Sequence, residues 1–466
     1  MRSRTFRSRG GLRGFALLAA AGTLALGGPT APAVAQTVGP PRLDPSQLAS
    51  HTLQSFNYPQ KQGCMRGNSG NSVIEEKPWS QLVLGFERAH DEGLSGSGQT
   101  VAVIDTGVNA SHPLLRGKVQ NGGSSVPDGG GDKDCDGHGT IVAGIIAASP
   151  DPSGKMGYVG VAPDASILSI RQSSKLFVSE ADNATIGNTD TMAQAINIAV
   201  DRGASVINIS QSSCQSIAQA SNYLDYGNQR LHNAVKTAYE RGVVVVVAAG
   251  NTGEACQKNA SGSPTTAVLP AWFDEYVLTV ASVNQQGAPS EFTVPGPWVD
   301  VAAPGENLIA LDPGVGGQGL ASQIATGEDG QPGPIQGTSF AAPYVAGLAV
   351  LIKEKYPNLT AGQIMDRIKE TALNPGGING RNDIVGYGMV DPAAALADVV
   401  PAEWGKQAPP PKPTKLDADV IPQKDYPALI IALGGAGAGV AGIIFTAFLI
   451  NAVRSVRART RENGGR

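Results

Sequence analysis

Three stretches of this chain set a reactive side chain within two residues of a glycine, where one predicted element hands over to the next. The first is GTSFAAPYVAG, residues 337–347, with Ser339 between Thr338 and Phe340. The run that follows, 340–356, is rich in Ala, Val and Leu and ends in Lys353, Glu354 and Lys355. It reads as a buried helix with Ser339 at its N-terminus. Free backbone N–H groups and the helix dipole favour negative charge there, so an alkoxide or a tetrahedral oxyanion would be stabilised. Pro343 fits such a helix only in the first turn, where no intrahelical donor is lost. Taken alone, Ser339 is more simply an N-cap serine.

The second stretch is TVAVID, 100–105, which ends in Asp105 before Thr106 and Gly107. Catalytic groups in open α/β sheets sit at the carboxyl ends of strands. The third is DGHGT, with His138 between two glycines and ahead of an apolar run; glycines there let backbone approach a substrate closely. A turn aspartate and a solvated turn histidine are the plain readings of each in isolation. Together, in the order Asp105, His138, Ser339, they supply nucleophilic acyl transfer. The carboxylate fixes the tautomer of the imidazole, the imidazole takes the serine proton, and the serine attacks a carbonyl carbon. A fourth stretch, 243–249, runs through AAGN to Asn251. Its carboxamide N–H can donate to a developing oxyanion, a contribution of about 3 to 4 kcal/mol where such a donor has been removed. His51, His90, His112 and His232 have no comparable setting and read as structural or exposed.

The elements that must position these groups alternate in kind. Short apolar runs at 100–105, 166–171, 205–210, 243–249, 276–283 and 298–304 predict strands covered on both faces. Helical patterns lie at 140–148, 191–204, 231–242, 360–372 and 391–399. That alternation predicts one doubly wound α/β domain over 81–400, with a mostly parallel sheet and helices on both faces. Residues 36–80 are polar and aperiodic, an extension too short to be a separately folded inhibitor of about 70 to 80 residues. The formal net charge of −4 and the lack of a Lys/Arg stripe give no support to nucleic-acid binding.

Both ends point to a membrane. Residues 1–35 carry Arg2, Arg4, Arg7, Arg9 and Arg13, then an apolar run, then Ala33-Val34-Ala35 before Gln36, the pattern of a cleaved secretory signal peptide. No charged residue occurs from Tyr426 to Val453, which predicts one transmembrane helix over 427–453. Arg454, Arg457, Arg459 and Arg461 follow, so the tail 454–466 is expected in the cytoplasm and the bulk of the chain outside. Between domain and membrane, 401–426 contains PPPKP and reads as an extended linker. Four cysteines on an oxidising face are expected to pair. Of three connectivities, Cys64–Cys135 with Cys214–Cys256 is preferred, tying the extension to the loop before His138, and the others stay open.

Residues 132–137, Asp132-Lys133-Asp134-Cys135-Asp136-Gly137, begin like a calcium loop. Ala143 stands where a bidentate Glu is required, so no metal is expected. The run reads instead as an acidic, exposed loop beside the site, favouring basic or polar substrate segments. The Gly-rich residues 313–333 match no phosphate loop and read as a surface loop near the cleft.

DTG at 105–107, GHGT at 137–140, AAGN at 248–251 and GTSFAAPYVAG at 337–347 resemble the subtilisin-like serine proteases, in the family's order and approximate spacing. The resemblance covers about 80–400. It implies Asp105, His138 and Ser339 as the triad, Asn251 as the oxyanion residue, no cofactor, and a strand ending at Ser210 and Gln211 that hydrogen-bonds an extended peptide. The signal peptide, cysteine-bearing extension, Pro-rich linker and C-terminal helix further resemble the mycosins, membrane-anchored subtilases of type VII secretion systems. That resemblance implies an extension retained on the mature enzyme, with Cys64 and Cys135 suited to its wrapping. It also implies cleavage of exported proteins outside the membrane and a role in stabilising the secretion membrane complex. The alternative is mainly a structural component of that complex, with proteolysis dispensable.

Overall fold

The computed structural model describes residues 39–67, 73–253, 256–326, 331–376, 380–397, 400, 403 and 442–454. Two units separate along the chain, Met1–Gly405 and Lys406–Arg466.

In the first unit, seven strands form one sheet: β1 (Thr100–Asp105), β2 (Val119–Ser124), β3 (Ser166–Arg171), β4 (Val206–Ile209), β5 (Val244–Ala248), β6 (Leu278–Val283) and β7 (Val301–Pro304). Their spatial order is β7-β6-β5-β4-β1-β3-β2, and every pairing is parallel. Alternation along each strand divides the core in two. Val101, Val103, Val206, Val244 and Val246 face one apolar layer with the helices His138–Ala147 and Thr338–Lys355. Ala102, Ile104, Ile207, Ile209, Val245 and Val247 face the other with Thr189–Asp201 and Tyr226–Glu240. Each such Ile or Val contributes about 1.5 to 3 kcal/mol when fully buried. The helix Thr338–Lys355 is buried from Phe340 to Ile352, which explains its Ala, Val and Gly content: over that length it is enclosed on all sides.

Two features depart from the sequence expectations. The edge strand β2, VQNGGS, carries one apolar residue and two glycines, so it has no strand signal. Its pairing to β3 shifts register between Asn121 and Ser124. Within the Gly-rich 313–333, where a surface loop was expected, Leu320–Ala321 pairs with Ala310–Leu311, and Gln323–Thr326 pairs with Gln331–Pro334. Backbone pairing orders this segment, and Leu320 and Ala321 join the core beside Leu311.

Among the described residues the extension up to Pro78 contains no helix or named strand, and it is held largely by side-chain amides of the domain. Asn233 donates to the carbonyls of Asp44 and Gln47 at 2.7 and 2.8 Å, and Asn197 to that of Ala49 at 3.0 Å. Gln60 then bridges Phe177, and Cys64 joins Cys135. A second disulfide links Cys214 and Cys256. At the other end of this unit Arg367 and Glu403 form a buried ion pair, with the guanidinium 4.5 Å from the Tyr356 ring.

In the second unit, residues 442–454 are helical. Among the described residues no helix is long and apolar enough to cross a membrane. The predicted signal peptide, all of the linker except Glu403, most of the predicted span 427–453 and the tail beyond Arg454 lie outside the described residues.

Candidate active site

The carboxyl edge of β1 delivers Asp105 fully buried. Its Oδ1 accepts from the Thr106 N–H at 2.7 Å and from His138 Nδ1 at 2.7 Å, with Gln211 Nε2 at 3.4 Å. His138 opens its helix, with a quarter of its side chain exposed. Burial pulls its pKa down, but the charge and hydrogen bond of Asp105 outweigh that, and the net shift is upward from 6.5. With Nδ1–H directed at the carboxylate, Nε2 is the nitrogen left for the cleft. The ring also lies 4.9 Å from that of Phe340, the residue after the candidate nucleophile.

The acidic loop, expected to be exposed, is turned inward at its two important carboxylates. Asp134 is buried and accepts four hydrogen bonds, from Thr106 Oγ1, the Gly137 N–H, the Thr140 N–H and Thr140 Oγ1. These include donors of the first turn of the His138 helix, the groups a helix start leaves unpaired. Burial pushes its carboxyl up to about 7, while the four donors favour the ionised form. Thr106 Oγ1 accepts in turn from the Gly139 N–H at 2.9 Å, so Asp134 and Thr106 lock the histidine helix onto the loop that follows Asp105. A Cβ at position 139 would sit 2.1 Å from the Gly107 carbonyl oxygen, so only glycine permits that approach. Asp136 is held by Ser174 Oγ and the Lys175 N–H. Donors consume these carboxylates, and of the three aspartates only Asp132 is exposed.

Ser339 is the second residue of Thr338–Lys355, and Pro343 lies inside that helix beyond its first turn. The expectation of a first-turn proline is therefore corrected, and the consequence is local. Pro343 has no N–H to give the Ser339 carbonyl four residues back. Ser210 Oγ donates to that carbonyl at 2.6 Å instead, and accepts from Asn208 Nδ2 at 2.9 Å. A buried carbonyl left without a partner costs about 1 to 3 kcal/mol. Ser210→Ala is thus expected to lower stability by about that amount and to reduce kcat by loosening the Ser339 backbone; Ser210→Thr, which keeps the hydroxyl, should retain most of both. Thermal melts and turnover of the pair decide this, and equal behaviour of the two variants would remove the role.

Asn251 follows β5. Its Oδ1 accepts from the Thr338 N–H at 2.9 Å and Thr338 Oγ1 at 3.0 Å, which leaves Nδ2 as the free donor beside Gly337. His138, Asn251, Ser339, Ser210 and Gln211 all line one cleft of about 1030 Å³. The Ser339 hydroxyl has no hydrogen bond among the described residues, and it shares this cleft with His138; catalytic contacts often tighten only with substrate bound. Ser210 and Gln211 lie just past β4 and line the cleft.

Sequence reasoning missed Asp134, Thr106 and Thr338, which hold the His138 helix and the Asn251 carboxamide in place. Thr106 and Thr338 each adjoin a residue singled out by its motif, and Asp134 stands four residues before His138; a count of first-turn donors in need of acceptors would have found it. Gln62–Arg66 of the extension also line the cleft, for which Cys64 was the single clue.

Residues 96–388 match the Subtilase family. The chain is 41% identical to Mycosin-4 of Mycobacterium tuberculosis over 92% of its own length and 94% of that protein. It is similar to the crystal structure of MycP1 from the ESX-1 type VII secretion system, with 37% identity and a TM-score of 0.69, covering 79% of this chain and 98% of that one. It is also similar to a chain in the structure of an intact ESX-5 inner membrane complex, with 34% identity and a TM-score of 0.70, covering 90% of this chain and 100% of that one.

Proposed function

The chain belongs to the subtilase family, within it to the mycosins, and we propose that it is a membrane-anchored serine endopeptidase that cleaves proteins exported by a type VII secretion system. The observation that carries the catalytic assignment is the 2.7 Å hydrogen bond from His138 to buried Asp105, in the cleft that also holds Ser339 and Asn251. Asp105 keeps the His138 Nδ1 protonated and stabilises the imidazolium. His138 Nε2 removes the Ser339 proton as Oγ attacks the scissile carbonyl, then returns it to the leaving amine. Asn251 Nδ2, its carboxamide oriented by Thr338, and the N–H groups at the helix start stabilise the oxyanion. Water releases the acyl group by the same route in reverse. Ser210 and Gln211 flank an extended peptide as the neighbouring strand would.

The test is intact-mass analysis of the full chain in detergent after a fluorophosphonate probe. One adduct, absent from Ser339→Ala, supports the assignment; no adduct on the folded protein sinks it. The acid limb of kcat/KM follows from His138. The imidazolium is not a base, so activity rises with pH through a pKa lifted above 6.5. The stability that charged His138 gains from Asp105 has the opposite trend: it is present below 6.5 and is lost as pH rises through the folded pKa. A pH–rate profile with its acid limb at or below 6.5 would contradict this.

The Tyr426–Val453 run and the arginines after it support a single C-terminal anchor, with the protease domain on the extracytoplasmic side and the tail in the cytoplasm. A second role is favoured by the likeness to a chain of the intact ESX-5 inner membrane complex over 90% of this chain. We propose that this chain joins its own secretion complex and stabilises it independently of proteolysis. Cells carrying folded Ser339→Ala should then keep the assembled complex, and loss of the complex in those cells would refute the independence.

A further inference from the structure

The cleft wall beside His138 is made by two segments that meet on the dipeptide Cys135-Asp136. From one side the Met65 N–H donates to the Cys135 carbonyl at 2.9 Å, and Cys64 is bonded to Cys135. From the other side Lys175 donates its backbone N–H to Asp136 Oδ1 at 2.9 Å. Arg66 continues the first segment and is steadied by the Val315 N–H, which donates to the Met65 carbonyl at 2.9 Å. Arg66 and Lys175 are therefore fixed by their backbones on either side of the histidine loop, and both line the cleft. Both are exposed, and neither has an ion-pair partner among the described residues.

Among the cleft-lining residues Asp136 is the one carboxylate beside these two cations. Asp136 is partly buried, with one oxygen taken by Ser174 Oγ at 2.6 Å and the other by the Lys175 N–H. His138 is held in the catalytic pair with Asp105. The charge of Lys175 reaches as far as His138, where it opposes protonation.

We infer that Arg66 and Lys175 form a cationic clamp that selects peptides with an acidic side chain close to the scissile bond. This reverses the preference for basic segments that the run Asp132–Asp136 suggested, because Asp134 and Asp136 accept from the protein's own donors and Asp132 does not line the cleft, whereas both cations do. The inference rests on the proteolytic reading, and it makes the extension part of the substrate site through Arg66.

The test scans one residue, Glu, Gln or Lys, through the positions flanking the cleavage site of an otherwise neutral peptide. Selectivity is read as the ratio of kcat/KM for Glu over Lys with the full chain in detergent. At one or more positions the ratio should reach about fivefold, the size of an exposed ion pair, and should shrink on raising salt. Lys175→Glu and Arg66→Glu should each invert the ratio at the positions their cation serves. Binding of the same peptides to Ser339→Ala, followed by fluorescence anisotropy, must show the same order without turnover. Fluorophosphonate labelling with no charge preference at any position would overturn the clamp and leave the protease standing. Absence of labelling and of hydrolysis would remove the proteolytic reading, and the clamp with it.

Discussion

Ser339→Ala is expected to lower kcat by about a millionfold, the loss seen when the nucleophile of such a triad is removed, while the thermal midpoint stays close to that of the parent. The two halves of this expectation have separate causes. Ser339 Oγ has no hydrogen bond among the described residues and its side chain is partly exposed, so its removal leaves no buried donor unpaired and should cost no more than about 0.5 kcal/mol. The backbone work at this position is done by groups that alanine keeps. The Ser339 carbonyl still accepts from Ser210, and Thr338 still pins Asn251. What remains should be the residual turnover, roughly 10³- to 10⁴-fold over water, that an oxyanion site and substrate binding provide without a nucleophile. Peptide turnover and a melting curve on the same preparation check both halves. Retained turnover would mean that another group attacks; a large fall in the midpoint would mean that the hydroxyl is structural.

Apolar runs and the reactive groups at their ends are legible in the sequence, whereas side-chain hydrogen-bond partners are not. Strands such as Thr100–Asp105 and Val244–Ala248 were visible because a strand buried on both faces needs an unbroken apolar run. The reactive groups were visible because they sit where those runs end. Hydrogen-bond bookkeeping was not visible. In the sequence the aspartates at 132, 134 and 136 read only as charges, whereas the fold uses the second and third as acceptors for specific N–H and O–H groups. Likewise Pro343 could be fitted to a helix only by assuming a first-turn position, because its true compensation comes from Ser210, far away in the chain. Val119–Ser124 fails for a related reason: an edge strand with two glycines is defined by what it pairs with, and its own sequence carries no period. Residues 62–66 show the limit most clearly. Nothing in their composition places them at the cleft; the disulfide and the contact of Met65 with Cys135 do.

Asp105→Asn should separate the charge of this site from its shape. The Thr106 N–H donates to Asp105 Oδ1 and so holds an acceptor at that position. The asparagine oxygen is expected to occupy it, keeping the bond from His138 Nδ1, while the new amide takes the place of Oδ2, a buried atom with no partner in the structure. Geometry is conserved and the negative charge is lost. Burial then acts on His138 with much less opposition, so its pKa should fall, and the acid limb of kcat/KM should move to lower pH. Over the same change kcat should drop by roughly 10⁴-fold, the loss on replacing a triad aspartate by asparagine, because the amide neither holds the Nδ1–H tautomer as firmly as the carboxylate nor balances the imidazolium formed in the transition state. The two readouts must move in opposite senses: the base is free of its proton at lower pH and is nevertheless far slower. A drop in kcat with an unmoved acid limb would place the source of the raised pKa elsewhere, and Asp134, the next carboxylate acting on His138, is the group to replace in that event.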